Sequence, residues 1–143
     1  MGITFSQLTI DMYDRVISLW KQCEGIGLSS ADARENIEAY LTRNPGMSFI
    51  ASVGEKIVGA VLCGHDGRRG YIHHLGVDPN YRRSGIGRQL VEKCVSALKA
   101  AGIQKCHLLI FQDNFDGICF WKRTGWTHRS DIRVISKFIE SGD

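Results

Sequence analysis

The chain of 143 residues is 43% hydrophobic and 23% charged, which indicates one globular domain over residues 1–143 with enough length to bury a core. Its formal net charge of +3 is too small to indicate nucleic-acid binding without a clustered basic face. No apolar run approaches the roughly 20 residues of a membrane span and the N-terminus lacks the apolar stretch of a signal peptide, so we expect a cytoplasmic protein.

The spacing of apolar residues predicts elements in the order β-α-α-β-β-β-α-β-α-β. The predicted strands, in chain order, cover residues 3–10, 47–53, 56–63, 71–77, 106–111 and 129–138. The predicted helices begin at Asp11, at Ser29 or Ser30, after a glycine loop at residues 82–87, and at Asp113 or Asn114. A tight turn at Gly54-Glu55 is predicted to join the second and third strands.

The five cysteines form neither a C-x-x-C pair nor a His/Cys series at zinc spacing. They are Cys23, Cys63, Cys94, Cys106 and Cys119. Their odd number and their scatter through predicted strands and helices indicate reduced thiols. We therefore expect no metal site.

Residues 71–91 read YIHHLGVDPNYRRSGIGRQLV, which predicts a buried strand, a turn, a basic glycine loop and an amphipathic helix. A helix begins with backbone N–H groups that have no partner within the helix, and glycine lets a ligand approach such groups closely. The loop residues that supply glycine or positive charge are Arg82, Arg83, Gly85, Gly87 and Arg88. We interpret the loop as a site for a phosphate-rich anion. The alternative is a basic turn before an ordinary surface helix.

Two known phosphate loops do not fit this segment. A dinucleotide fingerprint would require a third glycine where Leu90 stands, and a Walker loop would require Gly-Lys-Ser/Thr after four intervening residues. Neither pattern is present, so the anion remains unspecified at this point.

Two motifs resemble those of the GNAT N-acetyltransferases. Arg-x-x-Gly-x-Gly at residues 82–87, preceded by Leu75-Gly76-Val77-Asp78-Pro79, is similar to the loop that binds the acyl-CoA pyrophosphate in that family. Asn114, followed by Phe120-Trp121 and Gly125-Trp126, is similar to the Asn, Leu/Phe-Tyr and Gly-Phe series that follows the family's fifth strand. The two motifs occur in the family's order and at compatible spacing.

The resemblance implies an α/β fold with a mixed, mostly antiparallel sheet of six to seven strands flanked by about four helices. It also implies a splay between the fourth and fifth strands, which exposes a strand edge to the amides of acetyl-CoA. The residues that it implies for acetyl-CoA binding are Leu75, Val77, Arg82, Arg83, Gly85, Gly87, Arg88, Asn114 and Trp121. Acetyl-CoA is the expected acyl donor.

Acetyl transfer to an amine requires a proton acceptor, because a lysine-like amine with a pKa of ~10.4 is mostly charged at pH 7. Alternation along the fourth strand predicts that Tyr71, His73 and Leu75 share one face. Ile72 and His74 are then expected on the other face. We predict His73 as the general base or proton relay, since some members of the family place a catalytic histidine two residues before the position of Leu75. His74 is the second candidate, and a half-buried structural histidine is the alternative.

Trp121 departs from the family, which commonly has a tyrosine there to protonate the departing thiolate. An indole N–H donates a hydrogen bond but is not a usable acid. Three interpretations stay open: water or another group such as Tyr71 or Cys119 supplies the proton, the enzyme is slow, or the chain binds acyl-CoA without turnover. Trp121 itself is predicted to form a wall of the thioester pocket.

The prediction is an N-acetyltransferase that moves an acetyl group from acetyl-CoA to a primary amine of a small molecule or peptide by direct attack. The resemblance implies that the segment between the first two helices, which contains Glu24, Asp32 and Glu35, helps to shape the acceptor pocket. The alternative is an acyl-CoA-binding or regulatory module. Nucleic-acid binding through the arginines lacks an aromatic stacking series. We expect neither nucleic acid nor a membrane as a partner, and both a monomer and a homodimer are compatible with the sequence.

Overall fold

The computed structural model describes residues 2–140, in which the chain forms two compact units, one up to Leu109 and one from Ile110 onward. The strands are β1 (Thr4–Gln7), β2 (Phe49–Val53), β3 (Lys56–His65), β4 (Gly70–Val77) and β5 (Cys106–Leu108). The helices are α1 (Tyr13–Gln22), α2 (Arg34–Arg43), α3 (Ile86–Ala100) and α4 (Phe115–Arg123). Short 3₁₀ turns cover Ile10–Met12, Ser30–Asp32 and Pro79–Tyr81. No helix within residues 2–140 is long and apolar enough to cross a membrane.

The five strands form one mixed sheet in the order β1-β2-β3-β4-β5. The first three pairings are antiparallel, and β4 pairs with β5 in parallel. The mixed, mostly antiparallel sheet with four helices agrees with the prediction, and the turn at Gly54-Glu55 joins β2 to β3 as expected. The antiparallel ladders place each strand beside its predecessor in the chain.

The predicted count of six to seven strands is not confirmed, because the described residues form five. Residues 129–138 carry the apolar pattern of a sixth strand, but in the described part of the chain they form no ladder. Ile132, Val134 and Ile135 are 56%, 66% and 95% exposed. A strand requires a partner for its backbone groups as well as a suitable pattern, and the pattern alone cannot supply that partner.

The sheet of the first unit is covered on both faces. On one face, the buried residues of α1 and α2 pack against Ala60 and Leu62 of β3, with Trp20 and Ile37 among the most buried. On the other face lies α3, whose buried residues recur at intervals of three and four as predicted: Ile86, Leu90, Val91, Cys94 and Leu98. Each of the four aliphatic side chains in this set stabilises the fold by roughly 1.5–3 kcal/mol relative to exposure.

Candidate active site

The glycine loop folds into two left-handed positions before α3. Asp78 is 5% exposed, and its Oδ1 accepts a hydrogen bond from the Asn80 N–H at 2.9 Å, which shapes the turn after β4. Arg83 and Gly85 then adopt φ values of 67° and 81°. The Ser84 hydroxyl donates to the Tyr81 carbonyl at 2.6 Å and closes the loop on itself. Successive N–H groups in such a conformation form a concave anion site.

Helix α3 begins without a side-chain cap. Gly85 is its N-cap, and no side chain in the described residues accepts a hydrogen bond from its first turn. A Cβ added to Gly85 would find only the Gln89 Nε2 atom, at 3.7 Å, so the space in front of the helix is open. The first turn, which contains Gly87 and Arg88, therefore presents N–H donors and the positive end of the helix dipole to that space.

The end of β4 presents an edge next to the loop. β5 pairs with β4 only at Gly70, Tyr71 and Ile72, and within the unit up to Leu109 no strand pairs with residues 73–77 on that side. The Asp78 N–H donates to the Val58 carbonyl of β3 at 2.8 Å. Because backbone groups alternate in direction along a strand, the groups of Val77 point away from β3. Pairing between β4 and β5 thus ends at Ile72, which agrees with the predicted splay between these strands.

The strand edge and the glycine loop are joined by Arg82. Its Nε donates to the Val77 carbonyl at 3.1 Å, and the Cys23 thiol contacts the same carbonyl at 3.7 Å. Arg82 and Arg83 are both exposed. The predicted residues from Leu75 to Arg88 therefore form one continuous surface, with a strand edge at one end and positive charge at the other.

A β-bulge in β4 corrects the predicted faces of the strand. His73 lies opposite Leu62, but Gly76 lies opposite Ala60, so β4 contains one extra residue at this point. His74 adopts a φ of 53° in the bulge. The prediction that His74 shares the face of Ile72 is wrong, because period-two alternation assumes a regular strand and a bulge shifts it by one residue.

Both histidines of the bulge consequently face α1 and α2. The His73 ring meets the Tyr40 ring edge-on at 5.8 Å, and the His74 ring meets the Trp20 ring at 5.1 Å. A Cβ added to Gly76 would lie 3.0 Å from the Trp20 ring, so Gly76 also faces this side. Alternation beyond the bulge then turns Leu75 to the face opposite His73, which corrects the second part of the prediction.

His73 is half-buried among aromatic rings. The Tyr71 ring stacks on it with centroids 6.4 Å apart and planes inclined by 12°. In the described residues, no hydrogen bond engages either ring nitrogen of His73. Burial, and next a positive charge on His74, lower the pKa of His73, while the Asp32 carboxylate opposes them. A lowered pKa keeps the imidazole neutral at pH 7, the state that a general base requires.

His74 is less suited to act as the base, because its Nε2 lies 2.8 Å from the Asp32 Oδ1. Asp32 is 7% exposed, so the pair is largely shielded from water. The sequence did not predict this contact, which joins residues 42 positions apart. Nothing in the local pattern around His74 points to a partner in the turn before α2.

Tyr40 of α2 is a further residue beside His73 that the sequence analysis did not single out. Burial raises the pKa of its phenol. A Cβ added to Gly64 would lie 2.4 Å from the Tyr40 hydroxyl oxygen, so the Tyr40 side chain fits against β3 because residue 64 is glycine. A glycine inside a predicted strand indicates that another group approaches the backbone closely, so Gly64 was the sequence signal for this contact.

The second unit contains the remaining predicted residues. Asn114 is the N-cap of α4, and its Oδ1 accepts a hydrogen bond from the Gly117 N–H at 3.0 Å. A Cβ on Gly117 would lie 2.7 Å from the Asn114 side chain, so glycine makes this cap possible. The Trp121 ring meets the Trp126 ring at 4.9 Å and the Phe120 ring at 5.1 Å, within the second unit.

The cysteines differ in their suitability as nucleophiles. Burial raises the pKa of the Cys23 thiol and raises that of Cys106 to about 12. Cys119, on α4, is exposed. Among residues 2–140, no group of three or more His, Cys, Asp or Glu side chains could hold a metal ion.

The model of the acetyltransferase (GNAT) family matches residues 13–126. An acetyltransferase of Pectobacterium atrosepticum is 36% identical over 130 residues, which cover 91% of this chain and 92% of that protein. An acetyltransferase of Yersinia pseudotuberculosis is 30% identical over 129 residues, with coverages of 90% and 91%.

Solved structures show the same fold. The PaiA N-acetyltransferase of Thermoplasma acidophilum, in complex with coenzyme A, has a TM-score of 0.76 at 18% identity and covers 87% of this chain and 89% of its own. AAC(6')-Iy, in complex with the bisubstrate analogue CoA-S-monomethyl-acetylneamine, has a TM-score of 0.77 at 16% identity, with coverages of 96% and 99%. At these identities the likeness concerns the fold.

Proposed function

The chain belongs to the GNAT family of acetyltransferases, and from this premise we propose that it transfers an acetyl group from acetyl-CoA to a primary amine of a small molecule or peptide. The observation that carries the proposal is the continuous surface formed by the end of β4, Arg82 and the uncapped start of α3. An extended amide arm and a pyrophosphate are the ligand groups that such a surface suits.

In this proposal, the arm of acetyl-CoA pairs with the edge of β4 at Leu75 and Val77. Its pyrophosphate accepts hydrogen bonds from the backbone between Arg83 and Arg88, and the guanidinium groups of the loop add charge. Gly85 and Gly87 keep side chains away from the phosphates. We retain the prediction, which rests on the family resemblance, that Asn114 contacts the arm and that Trp121 forms a wall of the thioester pocket.

The chemical step is direct attack. The amine nitrogen, once it has lost a proton to His73 directly or through a water molecule, attacks the thioester carbonyl carbon. As the C–S bond breaks, the attacking nitrogen loses its second proton to water and becomes the neutral amide. The coenzyme leaves as a thiolate that takes up a proton from water or from a group such as Tyr71, and His73 returns its proton to solvent. A thiol with a pKa near ~8.5 is a tolerable leaving group even without a dedicated acid.

The test is thiol release from acetyl-CoA in the presence of amines. A panel should contain aminocyclitols, because AAC(6')-Iy is solved with an acetylneamine analogue, together with polyamines and peptides with free N-termini or lysines. Release that depends on the amine, after subtraction of hydrolysis, and a product heavier by one acetyl group support the proposal. Binding of acetyl-CoA without release from any amine in the panel would contradict it and favour the alternative below.

The pH dependence of transfer offers a second, independent test. Because the pKa of His73 is lowered from 6.5, the neutral base is present above that value and is lost only as the pH falls below it. The ratio of wild-type to His73→Gln kcat/KM isolates this group, since ionisation of the amine affects both proteins equally. We expect the ratio to reach a plateau at high pH and to fall, as the pH is lowered, with a midpoint below 6.5. A midpoint above 6.5 would exclude His73 as the titrating base.

An acyl-CoA-binding module with little turnover is the second candidate, and Trp121 is the observation that favours it. Trp121→Tyr and Trp121→Phe differ by one hydroxyl group, and only tyrosine can protonate a thiolate. We expect kcat of the Tyr variant to exceed that of the Phe variant by at least about tenfold. Stopped-flow thiol detection at saturating amine measures the difference. Equal rates in the two variants would show that Trp121 does not limit proton delivery.

A further inference from the structure

His74 holds a backbone conformation that a non-glycine residue adopts only at a cost. Its φ of 53° lies in the left-handed region, which is unfavourable for an L-residue with a bulky side chain. Such a conformation persists where its surroundings over-determine it. Here the surroundings are the Asp32 carboxylate, 2.8 Å from Nε2, and the Trp20 ring.

Asp32 joins three separate parts of the first unit. Its Oδ1 meets His74 on β4, and its Oδ2 accepts the Ser29 N–H at 3.0 Å in the turn before α2. Its backbone carbonyl accepts the Tyr13 hydroxyl of α1 at 2.5 Å. Both carboxylate oxygens of this buried side chain are therefore engaged, and the turn is attached to the bulge through them.

His73 lies directly before the bulge. It pairs with Leu62 in the regular part of the ladder, the extra residue brings His74 to the same face beside it, and Tyr40 and Tyr71 confine the His73 ring. The titratable groups that face His73 are Tyr40 from α2, Tyr71 and His74 from β4, and Asp32 from the turn. Of these, His74 and Asp32 act on it with opposite charge.

We propose that His74 and Asp32 are positioning residues for His73: their contact holds the bulge that follows His73 in place, and their side chains supply the electrostatic surroundings of its ring. The inference rests on the proposed function, since it assigns His73 the role of base. A positioning group that fixes a reacting side chain to within a fraction of an ångström contributes to rate without touching the substrate.

Two substitutions of His74 separate its contact with Asp32 from its electrostatic effect on His73. His74→Gln keeps an N–H donor toward Asp32 and removes the ring charge. His74→Gly accepts a φ of 53° without strain and removes the donor. His65→Gln, at the end of the β3–β4 ladder where His65 pairs with Gly70, is the matched histidine control.

The first readout is an NMR titration of the His73 ring in labelled protein without substrates. We expect His74→Gln to raise the titration midpoint of His73, because a positive neighbour is lost, and His65→Gln to leave it unchanged. The second readout is the pH dependence of kcat/KM. We expect the midpoint at which kcat/KM falls at low pH to be higher in His74→Gln than in the wild type. We expect His74→Gly to lower the plateau kcat/KM by at least about tenfold, and by more than His74→Gln does.

An unchanged His73 midpoint in His74→Gln, or a His74→Gly protein with wild-type kcat/KM, would overturn the inference. If circular dichroism shows that His74→Gly does not fold, the His73 titration midpoint measured in His74→Gln is the deciding result. The titration requires no turnover, so a wild-type protein that acetylates no amine would refute the proposed function while the effect of His74 on His73 is still measured.

Discussion

Gly85→Glu is expected to abolish high-affinity binding of acetyl-CoA, with a Kd at least about 100-fold higher, or about 2.7 kcal/mol of lost binding free energy. Two physical effects combine at this position. A φ of 81° strains any residue with a Cβ, and the new carboxylate lies at the start of α3 among the donors meant for phosphate. Isothermal titration calorimetry measures the change, with circular dichroism to verify the fold.

Gly102→Glu is the matched control, since Gly102 lies just beyond the other end of α3 with a φ of 82° and no atom within 4 Å of an added Cβ. It introduces the same charge and the same backbone strain as Gly85→Glu, away from the loop. We expect it to lower stability without changing the Kd. If both variants, or neither, weakened acetyl-CoA binding, the phosphate loop would be assigned wrongly.

His73→Gln is expected to lower kcat/KM by roughly 10² to 10⁴-fold, the range that a general base contributes. Glutamine retains the approximate size and polarity of the ring between Tyr71 and Tyr40, but it cannot accept a proton at neutral pH. The Kd for acetyl-CoA should stay close to that of the wild type, because His73 is proposed to act on the amine. Steady-state kinetics at pH 7.5, combined with calorimetry, measure both quantities.

His65→Gln provides the comparison for His73→Gln. His65 pairs with Gly70 at one end of the ladder, and its Nδ1 accepts the Gly67 N–H within a turn. We expect its kinetics to match the wild type. A His73→Gln enzyme with more than a tenth of wild-type kcat/KM would make His73 a structural histidine, and Tyr40 and Tyr71 would be the next side chains to test.

Much of the glycine loop that is proposed to bind phosphate could be predicted from local sequence. The glycine positions, the arginines and the amphipathic pattern of α3 lie within a short stretch of chain, and capping and periodicity are local properties. The early end of β4–β5 pairing followed from the family resemblance rather than from the pattern itself. Gly85 adopts the left-handed φ that its lack of a Cβ permits.

The details of the proposed catalytic face could not be predicted in the same way. The bulge at His74 depends on the register between β3 and β4, and a pattern within one strand contains no information about that register. The contact of His74 with Asp32 and that of His73 with Tyr40 join residues far apart in the chain. Alternation alone therefore placed His74 and Leu75 on the wrong faces.

The expected strand over residues 129–138 illustrates a related limit. Its apolar residues match a strand, yet Arg129 and Asp131 pair with each other at 2.9 Å and the apolar side chains that follow are exposed. A hydrophobic pattern indicates which residues favour burial, whereas strand formation also requires the unpaired edge of a neighbouring strand.

A calorimetric titration of the wild-type protein with acetyl-CoA and, separately, with acetyl-pantetheine tests whether residues 82–88 hold the pyrophosphate. We expect saturable one-site binding of acetyl-CoA and at least about tenfold weaker binding of acetyl-pantetheine, which lacks the pyrophosphate that the loop is proposed to hold. Equal affinity for the two compounds, or no binding of acetyl-CoA, would contradict the assignment of residues 82–88 as the phosphate site.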